Sequence, residues 1–155
     1  MKIRPYRDDD ESEVIELWDV CGLIRPQNNP KADIRRKLRV DPDLFLVGFD
    51  DKIVATAMAG YEGHRGWVNY LCVAPHLRNQ GHGRQIMAEV EHLLRVRGCP
   101  KINLQVRASN KEAVEFYKSI GFVDDEVVSM GKRLETDAPY KPMGYMESKF
   151  KVPET

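Results

Sequence analysis

Apolar residues in this chain form two kinds of pattern, which alternate along most of its length. Short apolar runs bounded by turn residues are typical of strands, and stripes that recur at i, i+3, i+4 and i+7 are typical of amphipathic helices. Val14, Leu17, Trp18 and Cys21 form one such stripe. Strands are predicted over residues 3–6, 44–49, 53–61, 67–73, 102–106 and once within 123–134, and helices over about 11–21, 30–40, 84–97 and 111–120.

The stretch Arg78-Asn79-Gln80-Gly81-His82-Gly83-Arg84 lies between a predicted buried strand and a predicted amphipathic helix. Because strand, helix and strand in this order make a crossover, the two strands are expected to be parallel and the connection right-handed. Glycine lets the backbone approach a ligand closely, and the first turn of a helix has free N–H groups. The stretch therefore predicts a phosphate or pyrophosphate site, with an ordinary strand-to-helix turn as the alternative.

Charge and composition narrow the class of partner. Lysine plus arginine and aspartate plus glutamate each number 24, so the formal net charge is zero. There is no basic surplus for a nucleic-acid backbone, and we expect no nucleic-acid partner. No apolar run approaches the roughly 18 residues that a membrane helix needs, and the first residues lead directly into charged sequence. We expect a cytoplasmic protein with no membrane partner.

The 155 residues predict one domain, residues 1–135, followed by a tail, residues 136–155. The tail is expected to be loose, or to dock on its own domain or on a second subunit, which leaves a homodimer open. Cys21, Cys72 and Cys99 are odd in number and have no C-x-x-C spacing, which argues against a disulfide framework and against a metal site. We expect reduced cysteines that mostly pack in the interior.

The glycine-bearing stretch differs from two well-known phosphate loops. A Walker loop ends in Gly-Lys-Ser/Thr, and a dinucleotide fingerprint needs a third glycine where Ile86 stands. Val73-Ala74-Pro75 followed by Arg78-x-x-Gly81-x-Gly83 instead resembles the acetyl-CoA loop of the GCN5-related N-acetyltransferase (GNAT) superfamily. The family resemblance thus begins at the predicted phosphate site.

A second motif follows the crossover. Residues 106–110 with Ala113, Tyr117 and Gly121-Phe122 are similar to bacterial members of this superfamily that acetylate the N-terminal alanine of a ribosomal protein. The order of elements up to about Leu134 also resembles the GNAT fold. The resemblance implies an α+β fold in which about four helices flank a central mixed sheet of about six to seven strands, with splayed central parallel strands.

The resemblance further implies acetyl-CoA as co-substrate and no metal. Backbone N–H groups of the loop and of the following helix would hold the pyrophosphate, and backbone groups of Leu71 and Val73 would pair with the pantetheine arm. An N–H near Leu71 would stabilise the oxyanion, and Asn110 would contact the arm. The implied cofactor residues are Leu71, Cys72, Val73, Arg78, Asn79, Gln80, Gly81, His82, Gly83, Arg84, Asn110 and Tyr117.

Tyr117 is the residue that the resemblance implies as general acid. The departing CoA thiolate needs a proton, and a phenol with an ordinary pKa of about 10 is protonated at neutral pH. The alternative is that Tyr117 only packs with Phe116 and Ile120.

The base that takes the proton of the acceptor amine is harder to name. Gln105 stands where the ribosomal-protein enzymes have a glutamate, and Trp67 lies near where histone-acetylating relatives have one. Neither side chain accepts a proton, which puts a ribosomal-protein substrate in doubt. The nearest candidates are Glu62 and His64, in a predicted hairpin turn that is equally well explained as a solvated tip.

Arg25 and Arg65 are candidates for binding the acceptor, because a guanidinium binds a carboxylate through two hydrogen bonds. They favour a small, amino-acid-like or acidic amine. The sequence predicts an enzyme that moves an acetyl group from acetyl-CoA to such an amine by direct transfer. The alternatives are acetylation of a protein N-terminus or lysine, and an acyl-CoA sensor without catalysis.

Overall fold

The structure is a computed structural model, and it describes residues 1–141. In this part of the chain nine helices and strands follow the predicted order, joined by short 3-10 turns at residues 8–10, 42–44 and 75–77. The strands are β1 (Lys2–Pro5), β2 (Phe45–Phe49), β3 (Ile53–Tyr61), β4 (Gly66–Val73) and β5 (Ile102–Leu104). The helices are α1 (Glu11–Val20), α2 (Pro30–Lys37), α3 (His82–Val96) and α4 (Lys111–Ser119).

The strands form one mixed sheet in the order β1-β2-β3-β4-β5. The pairs from β1 to β4 are antiparallel, whereas β4 and β5 are parallel. Their pairing begins at Gly66 with Ile102 and ends at Val68 with Leu104. Because β4 continues to Val73 without pairing with β5, the central parallel strands separate there. The α+β fold and the parallel crossover predicted from the sequence are confirmed.

The predicted count of six to seven strands is wrong for the described residues, in which the sheet has five. The strand expected within residues 123–134 is absent there. Asp125 accepts hydrogen bonds from Lys101 Nζ (2.8 Å) and Asn103 Nδ2 (2.9 Å). The segment is thus attached to β5 through side chains, whereas a strand needs a backbone ladder. A cavity of about 990 Å³ lies between the two.

Each face of the sheet carries its own core. Trp18 of α1, Ile34 of α2 and Phe45 of β2 belong to the core on one face, and α3 contributes Ile86, Met87, Val90 and Leu94 to the core on the other. The small residues of β3 lie under α3, where Ala55, Ala57 and Ala59 are buried. Close packing of this helix, rather than space for a ligand, therefore explains the run of small residues.

Residues 133–140 form a segment, here called the C-terminal strap, that lies against the start of α2. The Asp137 carboxylate accepts a hydrogen bond from the Asn29 backbone N–H (3.1 Å) and pairs with the Arg36 guanidinium (2.5 Å). Asn29 Nδ2 donates to Ala138 O (2.9 Å), and Tyr140 packs against the α1 core. The described part of the predicted tail thus docks on its own domain, and the rest of the tail lies outside the described residues.

Candidate active site

Strand β4 carries a bulge where it passes β3. Thr56 pairs with Cys72 and Met58 with Asn69, so that two residues of β4, Tyr70 and Leu71, face one residue of β3. Tyr70 has a left-handed backbone, with φ of 50°. A non-glycine residue in this conformation costs about 1–3 kcal/mol and persists only where its surroundings hold it. A bulge redirects the local backbone. Here it lies just beyond Val68, the last residue of β4 that pairs with β5.

Several contacts hold Tyr70 in this conformation. Its ring stacks on Trp18 with centroids 3.8 Å apart, and its hydroxyl donates to Asp33 Oδ2 (2.6 Å). The Thr56 hydroxyl donates to Tyr70 O (2.7 Å) and accepts from Trp18 Nε1 (2.9 Å). Burial and the Asp33 carboxylate raise the pKa of Tyr70, so its hydroxyl stays a donor. The bulge is therefore fixed from both its backbone and its side chain.

The predicted phosphate loop is a tight turn that ends at the N-terminus of α3. Asn79 and Gly81 have positive φ values of 60° and 85°, and Gly81 is the N-cap residue with no side-chain cap. The first N–H groups of α3 are therefore open to a ligand. Gly83 has a different role, because a Cβ there would lie 3.0 Å from Phe116 Cζ. Gly83 makes room for α4. Of the two glycines, only Gly81 has the geometry predicted for close approach of a ligand to the backbone.

A cavity of about 880 Å³ opens between β4, the loop, α3 and α4. Gln80 points elsewhere, since its Nε2 donates to His76 O (3.3 Å). All the other predicted cofactor residues line the cavity, namely Leu71, Cys72, Val73, Arg78, Asn79, Gly81, His82, Gly83, Arg84, Asn110 and Tyr117. The structure thus gathers them into one wall, as one site for an extended, phosphate-bearing ligand requires.

Tyr117 lies on α4 between two aromatic rings. The centroid of its ring is 5.2 Å from that of Phe116 and 5.6 Å from that of Phe122, both in edge-to-face geometry. Burial raises the pKa of Tyr117 to about 12, with a smaller contribution from the nearby Cys72. The phenol is therefore protonated at neutral pH and available as a proton donor. It also lines the cavity beside β5, so it lies between the two openings.

The cavity contains residues that the sequence analysis did not assign to it. Cys21 and Leu23, at the end of α1, and Leu77 line it as well. The carbonyl oxygen of Val73 accepts from Arg78 Nε (3.3 Å) and from Cys21 Sγ (3.5 Å). The helical stripe that contains Cys21 predicts only that this residue points toward the sheet. Whether a core or a cavity lies there depends on residues far away in the chain.

The predicted base candidates lie at the other end of β4. Glu62 Oε1 accepts from the backbone N–H of His64 (3.1 Å) and from that of Arg65, so the carboxylate closes the hairpin turn. The turn precedes Gly66, and β4 spans roughly 23 Å from there to Val73 at about 3.3 Å per residue. The structure does not bring Glu62, His64 or Arg65 to the cavity that Tyr117 lines.

Arg25 is also outside the cavity. It lies in the connector between α1 and α2, where its carbonyl oxygen accepts from the Asn28 N–H (3.0 Å). Trp67 and Gln105 line the other cavity instead. Trp67 is 40% exposed, and Gln105 hydrogen-bonds Ser129. The predicted acceptor residues are thus dispersed, unlike the cofactor residues.

Comparison with known proteins agrees with this arrangement. The family model described as Acetyltransferase (GNAT) family matches residues 6–122. An acetyltransferase of Sodalis glossinidius is 46% identical over 142 residues, which cover 90% of this chain and 100% of that protein. The chain belongs to the GNAT acetyltransferase family. The alignment covers the relative completely, so the remaining 10% of this GNAT protein has no counterpart in that relative.

Solved structures share the fold of this GNAT protein. Ard1 from Thermoplasma volcanium has a TM-score of 0.71 at 24% identity, covering 79% of this chain and 82% of that one. The structure of AAC(6')-Iy in complex with the bisubstrate analogue CoA-S-monomethyl-acetylneamine has a TM-score of 0.71 at 18% identity, covering 85% and 97%. At these identities the likeness concerns the fold.

Within residues 1–141 no helix is long and apolar enough to cross a membrane. Likewise, within the described residues no cluster of three or more His, Cys, Asp or Glu side chains is placed to hold a metal ion.

Proposed function

We propose that this GNAT protein transfers an acetyl group from acetyl-CoA to a primary amine of a small acceptor, by direct transfer in a ternary complex. The observation that carries the proposal is the single cavity that joins an uncapped helix N-terminus, a bulged strand and a protonated tyrosine. AAC(6')-Iy, which shares the fold, forms a complex with a CoA-containing bisubstrate analogue, and this supports the choice of donor.

The N-terminus of α3 would bind the pyrophosphate of the cofactor. Its first N–H groups and the positive end of the helix dipole favour an anion, and Gly81 lets the backbone turn into the helix. Arg78 and Arg84, which line the same cavity, add positive charge. The pantetheine arm would then follow β4 beyond Val68, where that strand has no partner from β5.

The reaction would take place at the bulge. The acceptor nitrogen attacks the acetyl carbonyl carbon, and the backbone N–H near Leu71 stabilises the oxyanion that forms. When the intermediate collapses, the carbon–sulfur bond breaks and the electron pair leaves on the CoA sulfur. Tyr117 donates its proton to this sulfur and regains one from solvent. We assign the removal of the amine proton to water, since Glu62 and His64 close the distant hairpin turn.

The proposed acceptor is defined only by its chemical class. A small, amino-acid-like amine follows from Arg25 and Arg65 as candidate carboxylate partners, although neither lines the cavity. We also propose a cytoplasmic protein whose function requires neither nucleic acid nor a membrane. A protein N-terminus or lysine is the rival acceptor, and an acyl-CoA sensor without turnover is the rival function.

A thermal-shift experiment with acetyl-CoA, CoA and ATP tests the donor. Ligand at 100 times its dissociation constant adds about 2.7 kcal/mol, which raises the melting temperature by roughly 5–11 °C in a domain of this size. Acetyl-CoA and CoA should raise the melting temperature of the parent and not that of Gly81→Trp. Gly63→Trp is the matched control, because Gly63 also has positive φ (99°) and open space but lies in the hairpin turn.

Release of free CoA thiol with a panel of amines then separates the enzyme from the sensor. Thiol release that depends on a small amine supports the proposal, and release only with peptides indicates the rival acceptor. If acetyl-CoA stabilises the protein and no amine releases thiol, the sensor is correct. If acetyl-CoA at saturating concentration leaves the melting temperature unchanged, the assignment of the cavity fails.

A further inference from the structure

Two cysteines from distant parts of the chain, Cys21 and Cys72, line the same cavity. Cys21 is the C-cap residue of α1, Cys72 lies in β4, and both are free thiols. Cys21 Sγ lies 3.5 Å from the carbonyl oxygen of Val73, the residue that follows Cys72. On its other side, Cys72 Sγ lies 3.3 Å from the Thr56 hydroxyl oxygen. Neither the acetyl transfer nor the binding of pyrophosphate uses these sulfur atoms.

The two thiols have opposite electrostatic environments. Interaction with the Cys72 thiol and with the Arg78 guanidinium lowers the pKa of Cys21 to about 6, against burial. The pKa of Cys72 is raised by Cys21 and by burial. A thiolate is the reactive form of cysteine, so the accessible Cys21 is the nucleophile. Cys72 stays protonated and is the thiol that can react with Cys21 once Cys21 is oxidised.

Cys99 shows what a cysteine without such surroundings looks like in the same protein. It lies beside β5 and lines the other cavity. Its thiol donates to Lys101 O (3.4 Å), and its exposure is intermediate, as is that of Cys21. Among the described residues no other cysteine lies in the wall of that cavity. Cys99 is therefore an internal control for exposure alone.

We propose that Cys21 and Cys72 form an oxidation-sensitive dithiol, which a hydroperoxide converts to a disulfide in the wall of the cofactor cavity. The Cys21 sulfur attacks the terminal peroxide oxygen, the O–O bond breaks, and an alcohol or water leaves, which gives a sulfenic acid at Cys21. The Cys72 sulfur then attacks the Cys21 sulfur, and the sulfenic oxygen leaves as water with the Cys72 proton. The two thiols lose two electrons, and the peroxide gains them.

The effect on the cofactor rests on the function proposed above. The pantetheine arm would pass along Leu71 and Val73, directly beside both sulfur atoms. A disulfide removes the Cys21 sulfur from its contact with the Val73 carbonyl oxygen and from its interaction with Arg78, at the start of the phosphate loop. Bound CoA should therefore shield the dithiol, and the disulfide should weaken CoA binding.

The experiment uses the reduced, full-length protein treated with hydrogen peroxide, then alkylated and mapped by mass spectrometry without reduction. We expect a crosslinked peptide pair that contains Cys21 and Cys72 and is lighter by two hydrogen atoms, while Cys99 stays alkylated. Cys21→Ser should abolish the crosslink, and Cys99→Ser should leave its rate unchanged. Cys21 is only partly buried at a helix end, so its variant should fold, which circular dichroism checks.

Two results would overturn the dithiol. One is that Cys21 and Cys72 remain alkylatable under peroxide. The other is that Cys99 oxidises at the same rate and the crosslink forms between random pairs. Repeating the oxidation with acetyl-CoA at 100 times its dissociation constant tests the cavity separately, because its sulfur is a thioester with no free thiol, about 99% of the sites are filled and the rate should fall about a hundredfold. A disulfide that forms equally fast with acetyl-CoA sustains the dithiol and contradicts the proposed cofactor site.

Discussion

The two ends of β4 differ in how their functional residues are brought together. At the end that finishes with Val73, the loop, the start of α3 and Tyr117 of α4 enclose one cavity. At the end that begins with Gly66, Glu62 and His64 form a self-contained hairpin turn. The first end gathers almost every residue that the sequence assigned to the cofactor. The second end holds Glu62, His64 and Arg65 away from that cavity, and Arg25 lies apart from both ends.

The difference lies in what each site is made of. A phosphate site built from a turn and a helix N-terminus uses backbone groups, and these are placed by local sequence. An acceptor site uses side chains from separate elements, whose mutual positions depend on the whole fold. Breaking the contacts at each end should therefore have unequal consequences.

The largest effect is expected for Tyr117→Phe. The phenylalanine keeps the edge contacts with Phe116 and Phe122 but has no proton to donate to the CoA sulfur. The turnover number for the best amine should fall by about 10²–10⁴-fold, the usual contribution of a positioned acid. The CoA-induced thermal shift should be retained. A turnover number within threefold of the parent would remove Tyr117 from the chemistry.

Gly83→Val should have the next largest effect, on stability. Its side chain would press against the Phe116 ring, which a Cβ alone approaches to 3.0 Å. Overpacking of this kind costs about 1–3 kcal/mol of unfolding free energy, measured by urea denaturation. Combining it with Phe116→Ala should restore part of the loss relative to the sum of the single changes. Simple additivity of the two changes would show that the helices α3 and α4 are not in close contact there.

A smaller effect, dependent on pH, is expected at the C-terminal strap. Hydrogen bonds from Arg36 and the Asn29 N–H lower the pKa of Asp137 to about 2 from an ordinary 3.8. Because the folded pKa is lowered, the stabilisation is present above about pH 4 and is lost as the pH falls toward 2. The difference in unfolding free energy between the parent and Asp137→Asn should therefore be constant from pH 7 to 5 and shrink below 4. A constant difference down to pH 3 would contradict this assignment.

The smallest effect is expected for Glu62→Gln and His64→Ala. Both residues lie at the Gly66 end of β4, away from the cavity that Tyr117 lines. The second-order rate constant for the acceptor should change by less than about twofold, whereas loss of a true base costs about 10²–10⁴-fold. A tenfold loss with an unchanged CoA shift would place the hairpin turn in the acceptor site and abolish the contrast between the two ends.

The order of elements could be predicted from the sequence because it depends on local periodicity. The apolar stripe of α1 packs in one core, and the small residues of β3 pack in the other, under α3. The strand expected within residues 123–134 is wrong because the sequence of this segment does not show whether a neighbouring strand is available to pair with it. In the structure Val127, Val128 and Met130 are instead exposed.

Parts of the candidate site were beyond prediction for the same reason. Gly83 and Gly81 look equivalent in the loop, and only the position of Phe116 separates a packing glycine from a turning one. Cys21 and Cys72 are 51 residues apart, and their meeting depends on the docking of α1 against β4. Pairwise information of this kind is absent from periodicity.

The C-terminal strap has a consequence for how the protein is made. Helix α2 buries only Pro30 and Ile34, and its Arg36 is paired with Asp137, 101 residues later. Translation delivers the N-terminal elements first, so α2 emerges long before its anchor exists. A nascent chain that stops short of Asp137 would contain every strand of the sheet, but α2 would lack its contacts with Asp137. The contacts of α2 with the strap therefore cannot form until residue 137 has been made, although the helix itself is among the first elements to appear.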